Sequence, residues 1–200
     1  MSRENDQGMV GKRMHAIHRT TREAALSILE SGFDINHFGA GAGAGSGEPA
    51  GIFVSPGDGE DFRAEDTRRG LGFNCVLEVD FSSQNMATLT SDERIASFKR
   101  SRIELLGERY GLSAEEAQAV ASYKMRILKG RPDLMEIADW LDTRPGEVTL
   151  AKHSATHLLR SGIDTVAYRD PWQHVDQIII LDPSIVETVK LRGTPRRKPR

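Results

Sequence analysis

The spacing of apolar residues changes character along the chain. Residues 13–19 suit a short strand ending near His18. Gly51-Ile52-Phe53-Val54-Ser55 is a brief apolar run closed by Pro56, and Val76, Leu77, Val79 and Phe81 sit among polar residues between Phe73 and Phe81. Such short, near-alternating runs bounded by Gly or Pro predict strands. Thr165 to Tyr168 and Gln177 to Leu181 repeat the pattern, with Pro183 closing the second. Elsewhere the period lengthens. Ala24, Ala25, Ile28 and Leu29 share one helical face that stops at Gly32. Ala117, Val120, Ala121, Met125 and Leu128 form a second stripe, Leu134, Ile137, Ala138 and Leu141 a third, and Leu150, Ala151, Ala155, Leu158 and Leu159 a fourth, ending at Gly162. These spacings predict amphipathic helices. Thr20-Thr21-Arg22-Glu23, Thr90-Ser91-Asp92-Glu93 and Ser113-Ala114-Glu115-Glu116 each read as a capping box, and Pro132 suits a first helical turn.

Strands, a helical block over 90–161, then strands again make an α+β order rather than regular α/β alternation. One domain is expected over 13–192, with the helical block inserted in it. The polar residues 1–12 and the basic, proline-rich 193–200 are expected to be disordered. Residues 39–47, alternating glycine with alanine or serine, predict a mobile loop, and the charged, glycine-containing 57–72 another. No internal repeat is apparent.

Composition narrows the setting. With 200 residues and 38% apolar content, the chain has enough material for a real core. A net charge of -2 gives no global basic field to attract nucleic acid or anionic lipid. Cys75 is the single cysteine, so no intrachain disulfide forms, which fits a reducing compartment. No apolar run is long enough to span a membrane, and the N-terminal residues lack the apolar stretch of a signal peptide. A cytoplasmic location is expected, with signal-independent export left open.

Three separated segments carry candidate chemistry. The first is His15-Ala16-Ile17-His18-Arg19-Thr20-Thr21 followed by Ser27-Ile28-Leu29-Glu30-Ser31-Gly32-Phe33. The second is Gly51-Ile52-Phe53-Val54-Ser55. The third is Asp176-Gln177-Ile178-Ile179-Ile180-Leu181-Asp182-Pro183-Ser184. In order and spacing they resemble the ADP-ribosyltransferase superfamily, particularly its bacterial and phage-encoded members. Roughly 40 residues in three patches carry the likeness; residues 90–161 carry none of it. The resemblance implies a split-sheet core with the helical block inserted, and NAD as substrate. His18 would hydrogen-bond a ribose hydroxyl of NAD. The Arg19 backbone would hold the nicotinamide carboxamide, and Thr20 would help fix the adenosine ribose. Phe53 would stack on the nicotinamide ring with Ser55 beside it. Gln177 falls where the most active members have a glutamate that binds the ribose 2′-hydroxyl and stabilises charge as the glycosidic bond breaks. His18 and Gln177 are thus the catalytic candidates. An amide there offers a dipole in place of a charge, and strand alternation aims the adjacent Asp176 to the other face. Poly-ADP-ribose synthesis is not expected.

Each residue also has a purely structural reading. Thr20 serves as a helix N-cap, His18 as an ordinary strand-end histidine, Phe53 as core and Gln177 as an edge position. His153 and His157, four apart on a helix, have zinc-ligand spacing but lack the intervening glutamate of a metalloprotease motif and any further ligand, so no metal is expected. Glu136 to Val148 loosely resembles a helix-turn-helix. Residues 131–162, however, carry four Lys/Arg against five Asp/Glu, which opposes phosphate binding and argues against stable DNA binding. The function expected is NAD-dependent mono-ADP-ribosyl transfer to a macromolecular acceptor, protein or nucleic acid, or NAD hydrolysis, as in a toxin, effector or phage modifier. The alternatives are an RNA 2′-phosphotransferase-like enzyme and a degenerate domain that binds a nucleotide or partner without chemistry.

Overall fold

The computed structural model describes residues 11–34, 48–56, 73–169 and 176–192. The Gly-Ala segment 39–47, the charged segment 57–72, residues 1–10 and the basic tail 193–200 lie outside the described residues. The elements are β1 (Lys12–Thr20), α1 (Arg22–Ser31), β2 (Ile52–Pro56), β3 (Cys75–Ser83), β4 (Met86–Leu89) and α2 (Ser91–Tyr110). Then come α3 (Ala114–Ala121), α4 (Met125–Leu128), α5 (Pro132–Leu141), α6 (Arg144–Arg160), β5 (Thr165–Arg169), β6 (Asp176–Ile180), a 3₁₀ turn (Pro183–Ile185) and β7 (Val186–Leu191). The α+β class expected from the element order is what the chain adopts.

Local chemistry sets most boundaries. Thr90 and Ser113 each accept the backbone N–H of the glutamate three residues on, and Glu93 and Glu116 return a carboxylate to the cap's own N–H, so both capping boxes close. The first cap differs from expectation. Thr20 is the last residue of β1, and Thr21 caps α1, accepting from the Ala24 N–H at 3.3 Å. The sheet pairing reaches one residue further than the apolar pattern suggests, and the second hydroxyl takes the cap. Gly32 stops the helix at φ 78°, where a side chain would be strained.

Among the described residues one seven-stranded sheet forms, in the order β4-β5-β6-β2-β1-β3-β7. Its pairings are antiparallel except for β4 with β5. Two strands were not expected: β4, only four residues long, and β7, on the edge beyond Pro183. β4 depends on a distant clamp. The Asp164 carboxylate accepts from Ser83 Oγ at 2.6 Å, Gln84 N–H at 2.7 Å and Asn85 N–H at 3.1 Å, which ties the β3–β4 turn to the start of β5.

Strand alternation gives the sheet two different faces. Ala16, Ile52, Val54, Leu77, Val79, Phe81, Ile178 and Ile180 turn to one side, where Ala25 and Ile28 of α1 pack on them. On the other side Ala151 and Ala155 of α6 cover Val166, Tyr168, Ile179 and Leu181. The rest of the helical block has its own core, centred on Leu106, Val120, Leu128, Leu134 and Leu141. That layer covers only part of its face. Over β1, β3 and β7 the same face carries polar cross-strand pairs: His15 with Asp80 at 2.8 Å and Arg13 with Glu187 at 3.2 Å.

Candidate functional site

The three segments singled out in the sequence lie on three adjacent strands, β6, β2 and β1. β2 pairs with β6 through Ile52↔Ile180, Phe53↔Ile179 and Val54↔Ile178. Between β1 and β2 the ladder registers only Ala16↔Pro56 and Ile17↔Ser55. Just beyond it, a side chain makes the connection: His18 Nδ1 lies 2.8 Å from the Phe53 carbonyl oxygen. The seam between β1 and β2 is therefore closed by main chain at one end and by an imidazole at the other.

That contact fixes the state of His18. Burial lowers its pKa below the ordinary 6.5, outweighing the carbonyl contact, which favours the charged form. The ring is then neutral at neutral pH. Because the partner is a carbonyl, Nδ1–H must donate, which leaves Nε2 as the acceptor. Among the described residues Nε2 has no hydrogen-bond partner. Phe33 meets the ring edge-on, with centroids 5.3 Å apart and planes at 87°, so the imidazole is held by an aromatic contact as well as by the carbonyl.

The other candidates divide between faces. Tyr168 stands directly opposite Gln177, and Val166 opposite Ile179. Since Tyr168, Val166 and Ile179 pack toward α6, Gln177 lies on that face, and so does Phe53, opposite Ile179. Ser55, two residues beyond Phe53, shares it and is buried. Arg19, two residues from the Ser55 partner Ile17, lies on the same side, half-buried. His18 and Thr20 alternate to the α1 side, opposite Leu77 and Cys75. Phe53, Ser55 and Gln177 are thus brought together on one face. His18 reaches them through the strand edge, and Thr20, buried beside α1, is not with them.

Three residues at the site carried no signal in the sequence. Arg94, in the first turn of α2, places its guanidinium 5.0 Å from the centroid of the Tyr168 ring. The same guanidinium pairs with Glu48 at 3.1 Å, and Glu48 is buried. These contacts depend on pairings between distant segments, which no local spacing encodes. A cavity of about 230 Å³ lies further into the helical layer, lined by Glu48, Phe98, Arg102, Leu141, Glu147 and Leu150 among others. It does not include the seam residues.

The histidines with zinc-ligand spacing instead face carboxylates of α2: His153 meets Glu108 at 3.8 Å and His157 meets Glu104 at 3.3 Å. Among the described residues no group of three or more His, Cys, Asp or Glu is arranged to hold a metal ion, and no helix is long and apolar enough to cross a membrane.

No family model matches the chain, and no curated protein matches it. A solved structure described as that of an anti-CRISPR protein is similar at 13% identity, covering 92% of this chain and 100% of that one, with a TM-score of 0.36. A likeness at that level settles neither fold nor function.

Proposed function

We propose that the chain is an ADP-ribosyltransferase-like domain, with the split-sheet core that implies, which binds NAD at the β1–β2–β6 seam and transfers one ADP-ribose to a macromolecular acceptor. The observation that carries this reading is the meeting of three sequence patches, far apart in the chain, on three adjacent strands, joined by the His18–Phe53 contact. The chemistry follows from the residues. Neutral His18 accepts a hydrogen bond from a ribose hydroxyl at Nε2, Phe53 offers an aromatic face to the nicotinamide, and the Gln177 amide hydrogen-bonds the ribose next to C1′. The C1′–N bond breaks, nicotinamide leaves with the electron pair, and an acceptor lone pair attacks C1′ and loses its proton. Without a carboxylate at position 177 the positive charge developing on the ribose is stabilised only by dipoles, so the reaction is slow.

A second reading has an observation of its own. Gln177 is neutral and Phe53 is half-buried against α6, a combination that suits binding without turnover. One measurement separates them, nicotinamide release. NAD raises the melting temperature under both readings, because a ligand of the native state stabilises it. Only the transferase releases nicotinamide. His18→Ala is expected to remove most of the NAD-induced shift while the protein stays folded; an undiminished shift in that variant takes His18 out of the site.

A further inference from the structure

The chain entering β2 is fastened to the helical layer at two successive points. Glu48, with its side chain 7% exposed, pairs with Arg94 of α2 at 3.1 Å, and Arg94 is itself held over the Tyr168 ring. Two residues later the Ala50 N–H donates to the Ala151 carbonyl of α6 at 2.8 Å. Gly51 then passes so close to β6 that a Cβ there would lie 2.4 Å from Ile179 Cγ2 and 2.7 Å from the Ile180 carbonyl oxygen. The next two residues are Ile52 and Phe53. Phe53 leans on the α6-facing core, and its carbonyl receives His18. An unbroken run from residue 48 to residue 53 therefore links helices α2 and α6 to the seam.

We infer that Glu48 and Arg94 are positioning residues: together they form a latch by which the helical layer sets the placement of Phe53 and, through its carbonyl, of the His18 ring. Neither residue reaches the reacting atoms in this scheme. The Glu48 carboxylate is buried while Arg94 is partly exposed, and separating the pair leaves the carboxylate charge stranded in a poorly solvated place. Arg94 meets a carboxylate and an aromatic face at once, so its guanidinium is held on two sides. The helical layer carries none of the sequence resemblance, and this latch gives it a role at the site in addition to packing.

The inference rests on the NAD reading for its ligand measurements but not for its structural one. Glu48→Gln, Arg94→Met and the double variant E48Q/R94M are compared with the unmodified protein; the double variant removes both charges and protects against misfolding caused by stranding one. Backbone amide exchange is expected to quicken about ten-fold or more at residues 51–54, while amides in α3 and α5 keep their protection. NAD affinity is expected to fall about ten-fold and ADP-ribose affinity by less, because both ligands carry a ribose for His18 and only NAD carries the ring that meets Phe53. Unchanged exchange at 51–54 in a folded variant, or equal acceleration throughout the protein, overturns the latch. If the unmodified protein binds neither ligand yet exchange at 51–54 quickens, the latch stands and the NAD reading fails. If NAD binds normally in every variant and exchange is unaltered, the NAD reading stands and the latch fails.

Discussion

The helical layer and the sheet are built on opposite principles. In the layer each element is specified nearby: Thr90 with Glu93, Ser113 with Glu116, and Leu134, Ala138 and Leu141 on one face of a ten-residue helix. In the sheet almost nothing is local. Ile52 needs Ile180, Leu77 needs Leu191, and Met86 needs Thr165. The candidate site belongs to the second kind of construction, since its parts meet only when distant strands pair. The layer supplies packing and, through Glu48 and Arg94, a boundary for that site. If this division holds, substitutions deep in the layer should act on stability, and substitutions at the seam should act on ligand chemistry.

The largest expected effect tests the layer. Leu134 is fully buried in its core, and Leu134→Ala should cost about 2–5 kcal/mol of unfolding free energy in chemical denaturation. NAD should still raise the melting temperature of the folded fraction. Loss of the NAD response at temperatures where the variant remains folded would mean that the two regions are not separable in this way.

The seam provides the next effect. Gln177→Glu should raise nicotinamide release on the order of 10²–10³-fold, about 2.7–4 kcal/mol of transition-state stabilisation, with little change in NAD affinity. Rates are compared at saturating NAD. A rate equal to that of the unmodified protein would remove position 177 from the catalytic centre.

A smaller effect concerns acid. The folded protein holds His18 below its ordinary pKa of 6.5, so unfolding takes up a proton at pH values between the folded pKa and 6.5. Its contribution to stability is full above about pH 6.5 and is lost as pH falls from there through the folded pKa. His18→Asn should flatten the stability curve in that window. The depressed carboxylates Asp80 and Asp164 act lower, losing their contributions as pH falls below 3.8. A denaturation series across pH separates the two ranges, and an undiminished slope between them in the His18 variant would assign the acid sensitivity elsewhere.

The smallest effects return to the layer. Thr90→Ala and Ser113→Ala should each cost about 1 kcal/mol, the usual value of an N-cap, with no change in NAD response. A cap variant that altered ligand binding as strongly as a seam variant would blur the distinction between the two regions.

These differences also explain what the sequence made legible. Two capping boxes, most of the helical stripes and the strands around Ile17, Val54, Val79 and Ile179 are readable because their signals fall within a few residues. The stripe from Ala117 to Leu128 is instead divided, since α3 ends at Ala121, Tyr123 turns with φ 47°, and α4 begins at an exposed Met125. The short β4 and the edge strand β7 are not readable, because each is defined by its partner. The sequence points to Thr20 as the cap and the structure uses Thr21, because two hydroxyls stand side by side and strand pairing, a distant matter, decides between them. At the candidate site, the positions of His18, Phe53 and Gln177 on adjacent strands follow from segments that are legible in the sequence. That Thr20 falls on the other face, and that Glu48, Arg94 and Tyr168 join the neighbourhood, followed only from register.

The pairing of β2 with β6 and of β3 with β7 has a consequence for the order of events during synthesis. Residues 91–160 meet mostly each other and can condense while the remainder of the chain is still being made. Strands β1, β2 and β3 must meanwhile wait, with a central edge uncovered, until residues 176–191 leave the ribosome. The candidate site therefore comes into being late, after nearly all of the described chain has been made. An interrupted product would lack β6, and with it Gln177, beside β2.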